Sequence, residues 1–425
     1  MIDSLDALPL FAPPSVASVS DNAHSHSVSV RKQTFAEDVR NFNGLGKQSA
    51  AFEEGGVPYI VNEFWTAAQR QAHSIHEVSY RACFKPQLPG FFISRLTAPG
   101  EWVYDPFMGR GTTPVETHLL GRKPAGNDIN PLSVLLTRPR LRPVSVEAIE
   151  TALAAIDWDD GDEEAPDLLT FYSERTLRRI LALKKWLANK APLDKTPDPV
   201  TDWIRMVAIN RLTGHSPGFF SVYTLPPNQA VSVQSQLKIN EKRAQTPPDR
   251  DVARLILKKS RALLSSGAPA PARDMLFSTA PADRTPDIPT GSVALVVTSP
   301  PFLDIVQYRD DNWLRCWFAG IDVDAVAIAQ HRTESAWASM VRNVLSELAR
   351  VVRPGGHVAF EVGEVRKGRV LLERLVWNAA EGLPFDRLFV MVNSQAFTKT
   401  ANCWGVGNNK GGTNTNRIVV FRRRE

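Results

Sequence analysis

The chain has 425 residues, of which 43% are apolar, and a formal net charge of +5 at neutral pH. This composition is typical of a soluble globular protein with two or three domains, and the small positive charge is a weak indication of a polyanionic partner. The three cysteines, Cys83, Cys316 and Cys403, lie far apart, and no stretch approaches about 18 consecutive apolar residues. We therefore expect no zinc site or other metal site, no disulfide framework, no membrane span and a reducing, cytoplasmic setting.

The first part of the chain, residues 1–45, is rich in Ser, Ala, Asn and Pro and shows little periodicity. It is predicted to be disordered or loosely attached, and its acidic start does not resemble a secretory signal. Residues 46–145 are predicted to form the first part of an α/β domain. Helical apolar spacing there is interrupted at Pro86 and Pro89.

A strand–turn–helix–strand unit begins at residue 102. The run WVY predicts a buried strand, and the stretch DPFMGRGTT after it holds a tight turn at Gly109 and Gly111. The stretch TPVETHLLG predicts a helix, and PAGNDI predicts a second strand that leads to Asp128.

Residues 146–270 are interpreted as a largely helical insertion and as the candidate region for target recognition. Helices are predicted at VEAIETALAAI, SERTLRRILALKKWLANK and RDVARLILKKSRALL. Residues 271–425 resume the α/β pattern, with strands at GSVALVV, HVAFEVG, FDRLFVMVN and RIVVFRR, of which the last two could form an antiparallel hairpin. The alternation predicts an α/β fold with a doubly wound, mostly parallel Rossmann-like sheet.

The loop DPFMGRGTT is predicted to lie where such a sheet holds its ligand, at the carboxyl end of a strand. Gly109 and Gly111 let the backbone approach a ligand closely, and Asp128 can accept hydrogen bonds from ribose hydroxyls. The loop lacks the Gly-Lys-Ser/Thr ending of a P-loop, and Asp105 would repel a pyrophosphate. Asp105 instead suits a cationic amino group, which favours S-adenosylmethionine over a nicotinamide dinucleotide. A purely structural turn is the alternative.

Together with TSPPF at residues 298–302, this loop resembles the motifs of DNA amino-methyltransferases, which modify N4 of cytosine or N6 of adenine. FKPQLP and ARDMLF resemble the family segments beside the methionine end and the adenine ring of the cofactor. The resemblance covers roughly residues 73–140 and 270–425, and it implies a seven-stranded-type methyltransferase sheet that binds S-adenosylmethionine. The cofactor-binding residues that it implies are Phe84, Lys85, Pro86, Asp105, Phe107, Gly109, Gly111, Thr112, Thr113, Asp128, Asn130, Asp274 and Met275.

The same resemblance assigns the catalytic role to Ser299, Pro300, Pro301 and Phe302. An exocyclic amine is a poor nucleophile because its lone pair is delocalised into the ring. The Ser299 hydroxyl and the Pro300 carbonyl would accept its N–H groups, the double proline would fix these acceptors, and Phe302 would stack on the base. Phe302 replaces the more usual tyrosine of the family.

In the family that the chain resembles, serine in the first motif position favours N4 of cytosine, and N6 of adenine and RNA methylation are the alternatives. None of the cysteines follows a proline, so methylation at carbon 5 through a thiolate is rejected. A nucleic-acid-binding protein with an inactive methyltransferase fold is the alternative from another class. Glu361 and Glu364 either line the cleft or lie in a surface loop.

The expected partner is double-stranded DNA with the target base flipped out, in the cytoplasm and associated with the nucleoid. A cognate restriction endonuclease could act beside the enzyme, and no membrane is involved. Basic side chains of the insertion could contact phosphates, although a solvated helix face explains any one of them. These side chains are Arg175, Arg178, Arg179, Lys184, Lys185, Lys238, Lys242, Arg243 and Arg250.

Overall fold

The computed structural model describes residues 34–65, 72–81, 83–161, 165–225, 231–303, 308–326, 331–363, 365, 369–394 and 415–425. The strands are β1 (Ala50–Glu54), β2 (Val57–Asn62), β3 (Trp102–Asp105), β4 (Lys123–Asn127), β5 (Leu276–Ser278), β6 (Val293–Thr298), β7 (Val352–Val362), β8 (Phe385–Ser394) and β9 (Thr415–Arg423). The helices are α1 (Phe35–Arg40), α2 (Gln87–Leu96), α3 (Thr112–Leu119), α4 (Leu132–Leu141), α5 (Val146–Ala154), α6 (Glu174–Lys190), α7 (Pro199–Ile209), α8 (Val233–Arg243), α9 (Val252–Leu263), α10 (Tyr308–Ala319), α11 (Glu334–Val351) and α12 (Leu372–Ala379).

The strands form one sheet in the order β1-β2-β8-β9-β7-β6-β3-β4-β5. From β7 to β5 every pair is parallel, whereas β9 lies antiparallel between β7 and β8. The predicted doubly wound, mostly parallel α/β sheet is confirmed, and β8 and β9 are antiparallel partners as suggested. The seven strands from β8 to β5 correspond to the predicted seven-stranded type.

An unpredicted hairpin extends this sheet at one edge. β1 and β2 pair antiparallel, and Glu54 lies opposite Val57 across a two-residue turn. Gly55 and Gly56 form the turn with φ values of 60° and 74°. Positive φ at both central positions is the geometry of the tight turn that matches strand twist. The Gly-Gly pair was therefore the signal for this hairpin.

Alternate residues of the central strands face two helical layers. Val103 and Leu295 belong to the cluster that contains Phe92 of α2, whereas Tyr104 and Val296 pack in the cluster that includes α11. The period of two follows from strand geometry. The sheet is thus buried on both faces, as parallel sheets are.

The predicted loose N-terminus differs from the structure at residues 35–40. α1 buries Val39 completely, and the ring of Phe35 lies 5.9 Å from the rings of both Phe92 and Phe389. The boundary placed at residue 45 is therefore too late, because a short apolar helix docks onto the sheet there. Residues 1–33 lie outside the described part of the chain.

The region between β4 and β5 is helical throughout its described elements and adds no strand to the sheet. The predicted helices form as α5, α6 and α9, and capping side chains begin them at Ser145, Ser173 and Asp251. The sequence analysis missed α7, whose residues from Thr201 to Ile209 are all buried. The signal that could have found it is its start, where Pro199 follows the capping residue Asp198.

An ion pair joins this helical region to α4, which directly follows β4. Arg138 of α4 donates to both carboxylate oxygens of Asp202 in α7, at 2.7 and 2.9 Å. Asp202 is buried, and its charge interacts with Arg205 as well as with Arg138. Across the residues that the structure describes, we find no helix with the length and apolarity needed to cross a membrane.

Candidate active site

A cavity of about 570 Å³ lies at the carboxyl ends of the central strands. Asp105 borders it at the end of β3, Asp128 follows β4, Asp283 follows β5 and Ser299 follows β6. From β3 the chain continues to β4 and β5 on one side and then to β6 and β7 on the other side. Ligands bind at such switch points of doubly wound sheets. The predicted site residues that line this cavity are Phe84, Asp105, Phe107, Gly109, Thr112, Asp128, Asn130, Ser299 and Pro301.

Asp128 holds the glycine loop in place. Its carboxylate accepts hydrogen bonds from the backbone N–H of Gly109 and of Asn130, each at 2.9 Å. Burial raises the pKa of Asp128, and these hydrogen bonds counteract the shift. Each carboxylate oxygen keeps a second lone pair, so the residue can still accept from a ligand hydroxyl.

Asp105 is a buried carboxylate at the floor of the cavity and is 1% exposed. Its Oδ1 accepts from the Thr298 hydroxyl at 2.6 Å and from the Phe107 N–H at 3.1 Å. Burial raises the pKa of Asp105 to about 7, and the nearby charge of Asp128 acts in the same direction. Because burial disfavours the charged carboxylate, a cationic ligand group would stabilise it.

Ser299 contacts a second buried carboxyl group. Its hydroxyl is hydrogen-bonded to Glu361 near the end of β7, and Asn416 Nδ2 donates to Glu361 Oε1 at 3.0 Å. Burial raises the pKa of Glu361, while both hydrogen bonds lower it. The structure thus places Glu361 beside the predicted catalytic motif rather than in a surface loop. Glu364 lies outside the described residues.

The proline turn is braced from behind by α11. Trp337 is fully buried, and its Nε1 donates to the Pro301 carbonyl at 2.9 Å. Pro300 is buried as well. A rigid turn with one carbonyl held by an indole keeps the neighbouring Ser299 in one orientation.

Several predicted residues do not reach the cavity, namely Lys85, Pro86, Gly111, Thr113, Asp274, Met275, Pro300 and Phe302. Asp274 is the clearest correction. It pairs with Lys123 Nζ at 3.1 Å, beside the starts of β5 and β4. The starts of parallel strands lie at the opposite edge from their carboxyl ends, so the predicted adenine contact is on the wrong edge. Met275 precedes the same strand and packs against the cluster of the helical region.

The other residues that miss the cavity have structural positions. Gly111 precedes α3, where a Cβ would lie 2.1 Å from Thr137 Oγ1, so close packing against α4 requires glycine. The Phe302 ring packs against Gly363, where a Cβ would lie 2.6 Å from a ring carbon. Pro86 precedes α2, and Lys85 is exposed. The ring of Phe302 therefore rests on the protein's own backbone.

Sequence reasoning missed one complete wall of the cavity. It is formed by the start of α11 and by the loop after β5, and the residues that line it include Pro281, Ala282, Asp283, His331, Ala336, Ser339, Met340 and Asn343. Glu347 of α11 fixes this loop, because its Oε1 accepts from the Thr285 N–H and hydroxyl, both at 2.8 Å. Asp283 could have been found from the rule that ligands lie at the carboxyl ends of strands.

Among known proteins, a family model matches the part of the chain that contains the glycine loop. Residues 30–137 match the N6_N4_Mtase family model, described as DNA methylase. This segment, about a quarter of the chain, is therefore similar to DNA methylases of the N6/N4 amino-methylating kind. The matched segment contains the glycine loop and Asp128 but ends before Ser299.

Two relatives of the chain are type II methyltransferases. M.MjaII of Methanocaldococcus jannaschii is 33% identical over 84 residues, which cover 20% of this chain and 16% of the relative. M.MvaI of Kocuria varians is 31% identical over 96 residues, which cover 22% of this chain and 21% of the relative. The chain thus matches only a small part of the length of either relative.

The solved structures that resemble the chain include TTHA0409 of Thermus thermophilus, complexed with S-adenosyl-L-methionine. It is 22% identical, and the superposition covers 32% of this chain and 50% of that chain with a TM-score of 0.21. A similarity at this score supports no conclusion about function.

Proposed function

We propose that the chain is a DNA methyltransferase that transfers a methyl group from S-adenosylmethionine to the exocyclic N4 amine of cytosine. One observation carries the proposal: Asp105, at the end of β3, and Ser299, just after β6, open into the same cavity. The site thus combines a buried acceptor for a cationic cofactor with a hydroxyl acceptor for the substrate amine.

The cofactor would be held by the carboxylates at the ends of β3 and β4. Asp105 fits the ammonium group of the methionine part, and Asp128 fits the ribose hydroxyls. The loop at Asp283 and the facing side of α11 at Met340 would enclose the adenine ring. When bound, the cofactor supplies a methyl group that is activated by its positive sulfonium.

The target amine would be oriented by acceptors of the proline turn. If the Ser299 hydroxyl donates to Glu361, its oxygen keeps lone pairs that can accept one N–H of the amine. The family resemblance assigns the other N–H to the Pro300 carbonyl, but Pro300 does not line the cavity, so Ser299 is the acceptor on which the proposal rests. An acceptor on the amine hydrogen draws the nitrogen lone pair out of conjugation with the ring. The proton that the amine loses after methylation can pass through Ser299 to Glu361, whose raised pKa suits an acceptor.

The helical region between β4 and β5 would contact DNA, with the target base flipped into the cavity. Some of its predicted phosphate contacts are engaged with protein groups: Lys185 pairs with Asp160 at 2.7 Å, and Arg243 lies over the ring of Tyr223 at 3.8 Å. Exposed cations such as Arg178 and Lys238 are better candidates for phosphates. The type II methyltransferase relatives support a restriction-modification setting, and a cognate endonuclease is proposed as the partner there.

The test is methylation of DNA by the purified chain, followed by digestion to nucleosides and mass spectrometry. We expect N4-methylcytosine, and we expect Ser299→Ala to lose about 100-fold or more of the turnover while it still binds S-adenosylmethionine in calorimetry. Ser292→Ala is the matched control, because its hydroxyl donates to the Pro289 carbonyl at the other end of β6.

The outcomes distinguish the alternatives. N6-methyladenine as the product would overturn the assignment of the base. A normal rate for Ser299→Ala would overturn the role of the serine. Cofactor and DNA binding without any methylated product would favour an inactive, nucleic-acid-binding protein.

A further inference from the structure

We propose that Thr298 is a positioning residue that sets the orientation of the Asp105 carboxylate toward the ammonium group of the cofactor. The inference rests on the proposed function, because it needs S-adenosylmethionine as the ligand. It adds a role to a residue that neither the motif reasoning nor the mechanism above uses. Thr298 does not line the cavity and would act only through Asp105.

The register of two central strands brings the residues together. β3 and β6 are parallel neighbours in which Val103 lies opposite Leu295 and Tyr104 lies opposite Val296. Their last residues, Asp105 and Thr298, therefore meet at the same edge of the sheet. The Thr298 hydroxyl donates to Asp105 Oδ1 at 2.6 Å, and Thr298 is completely buried.

The adjacent residues Thr298 and Ser299 contact two different buried carboxyl groups. The first hydroxyl contacts Asp105, and the second contacts Glu361. The acceptor for the cofactor and the acceptor for the substrate are thus both fixed to the end of β6. A shift of this strand end would move both groups together, which preserves their separation.

Three hydrogen bonds offset the burial of Asp105, and the bond from the Thr298 hydroxyl is the largest of them. The Thr113 hydroxyl is also hydrogen-bonded to Asp105, but its single proton has a second acceptor, the Val297 carbonyl at 3.0 Å. Thr298 and the Phe107 N–H are therefore the donors committed to Oδ1.

The ionisable groups around Asp105 do not stabilise its charge. Asp128 after β4 raises the pKa of Asp105, and Tyr104 of β3 and Cys83 of the segment before α2 interact with it as groups that are neutral at pH 7. Among the described residues that shift this pKa, none is a cation. The pKa of about 7 therefore depends on the hydrogen bonds that offset burial. Loss of the Thr298 donor would raise it further.

The experiment measures the affinity for S-adenosylmethionine by calorimetry at several pH values from about 5.5 to 9, and each affinity is divided by that of Asp105→Asn at the same pH to remove the titration of the ligand's α-amino group. Wild type should bind more weakly as the pH falls below 7. Thr298→Val keeps the shape but loses the donor, so its midpoint should move up by about one pH unit and its affinity at pH 7 should fall several-fold. Thr298→Ser should match wild type.

Two controls separate positioning from general damage. Asp105→Asn should bind weakly and lose affinity only above about pH 7.7, where the α-amino group of the ligand titrates. Thr117→Val removes another buried threonine hydroxyl, in α3, and should leave the midpoint unchanged. Circular dichroism of each variant verifies that it is folded.

An unchanged midpoint in Thr298→Val would overturn the inference, and so would an equal shift in Thr298→Ser, which would indicate a packing effect. Both results leave the proposed function standing. If wild type binds no S-adenosylmethionine at any pH, the proposed function fails and the inference fails with it.

Discussion

Gly111 begins helix α3 with a backbone that alanine can adopt only at a cost. Its φ is 77°, and the left-handed conformation costs an L-residue about 1–2 kcal/mol. A Cβ would also lie 2.1 Å from Thr137 Oγ1 and 2.5 Å from Thr137 Cγ2, and overpacking of this kind costs about 1–3 kcal/mol. We therefore expect Gly111→Ala to lower the free energy of unfolding by about 3 kcal/mol.

Gly121 provides a matched control at the other end of the same helix. Its φ is 75°, but no described atom lies within 4 Å of a Cβ added there. Gly121→Ala should therefore lose only the backbone contribution of about 1–2 kcal/mol. The difference between the two variants measures the contact with Thr137.

The assay is urea unfolding followed by circular dichroism, with a third substitution that completes the cycle. Thr137→Ala removes the two closest atoms, so it should recover part of the stability lost in Gly111→Ala. It should not recover any of the loss in Gly121→Ala. Equal losses in both glycine variants, or a further loss in the Gly111→Ala/Thr137→Ala double variant, would refute the reasoning.

Three further predictions concern charged groups. Arg138→Met should lower the free energy of unfolding by about 3–5 kcal/mol because Asp202 stays buried without its partner; urea unfolding should show that adding Asp202→Leu recovers most of this loss, and no recovery would contradict the ion-pair explanation. Burial raises the pKa of Glu361, so turnover at saturating cofactor should fall as the pH drops through that pKa. Glu361→Gln should be slow at every pH, and its turnover should not fall further at acidic pH. If the fall at acidic pH persisted in this variant, the fall would belong to another group. Asp283→Ala should weaken S-adenosylmethionine binding by about tenfold in calorimetry, which is the effect of one lost hydrogen bond. Asp274→Ala should leave the affinity unchanged. A larger loss in Asp274→Ala than in Asp283→Ala would restore Asp274 as the adenine contact.

The arrangement of the glycine loop and the acidic residues beside it could be predicted because its signals are local in the sequence. A strand, two glycines, a helix and a second strand follow one another within a short stretch, and the rule for carboxyl ends places Asp105 and Asp128 together. The structure brings both to the cavity. The same locality made α5, α6 and α9 predictable, since each has an amphipathic stripe and a capping side chain.

The rest depended on tertiary contacts that no local pattern records. β5 has only three residues, Leu276–Ser278, so its sequence does not show which flank borders the ligand. Family resemblance placed the contact before this strand, at Asp274, whereas the cavity lies after it. Ser339 and Asn343 look like the solvent face of an amphipathic helix, and only the docking of α11 turns that face toward the cavity.

The ion pair between Arg138 and Asp202 ties the helical region to α4, yet that whole region is one connection between two neighbouring parallel strands. Its entry at Asn127 and its return at Leu276 are fixed by the pairing of β4 with β5, and no strand of the described region interrupts that pairing. Evolution could therefore exchange or lengthen this connection without disturbing the floor on which Asp105 and Thr298 meet. If the helical region recognises DNA as proposed, a graft of the corresponding helices from a related methyltransferase should keep the chemistry and change which DNA is chosen, provided that it brings its own partner for Arg138.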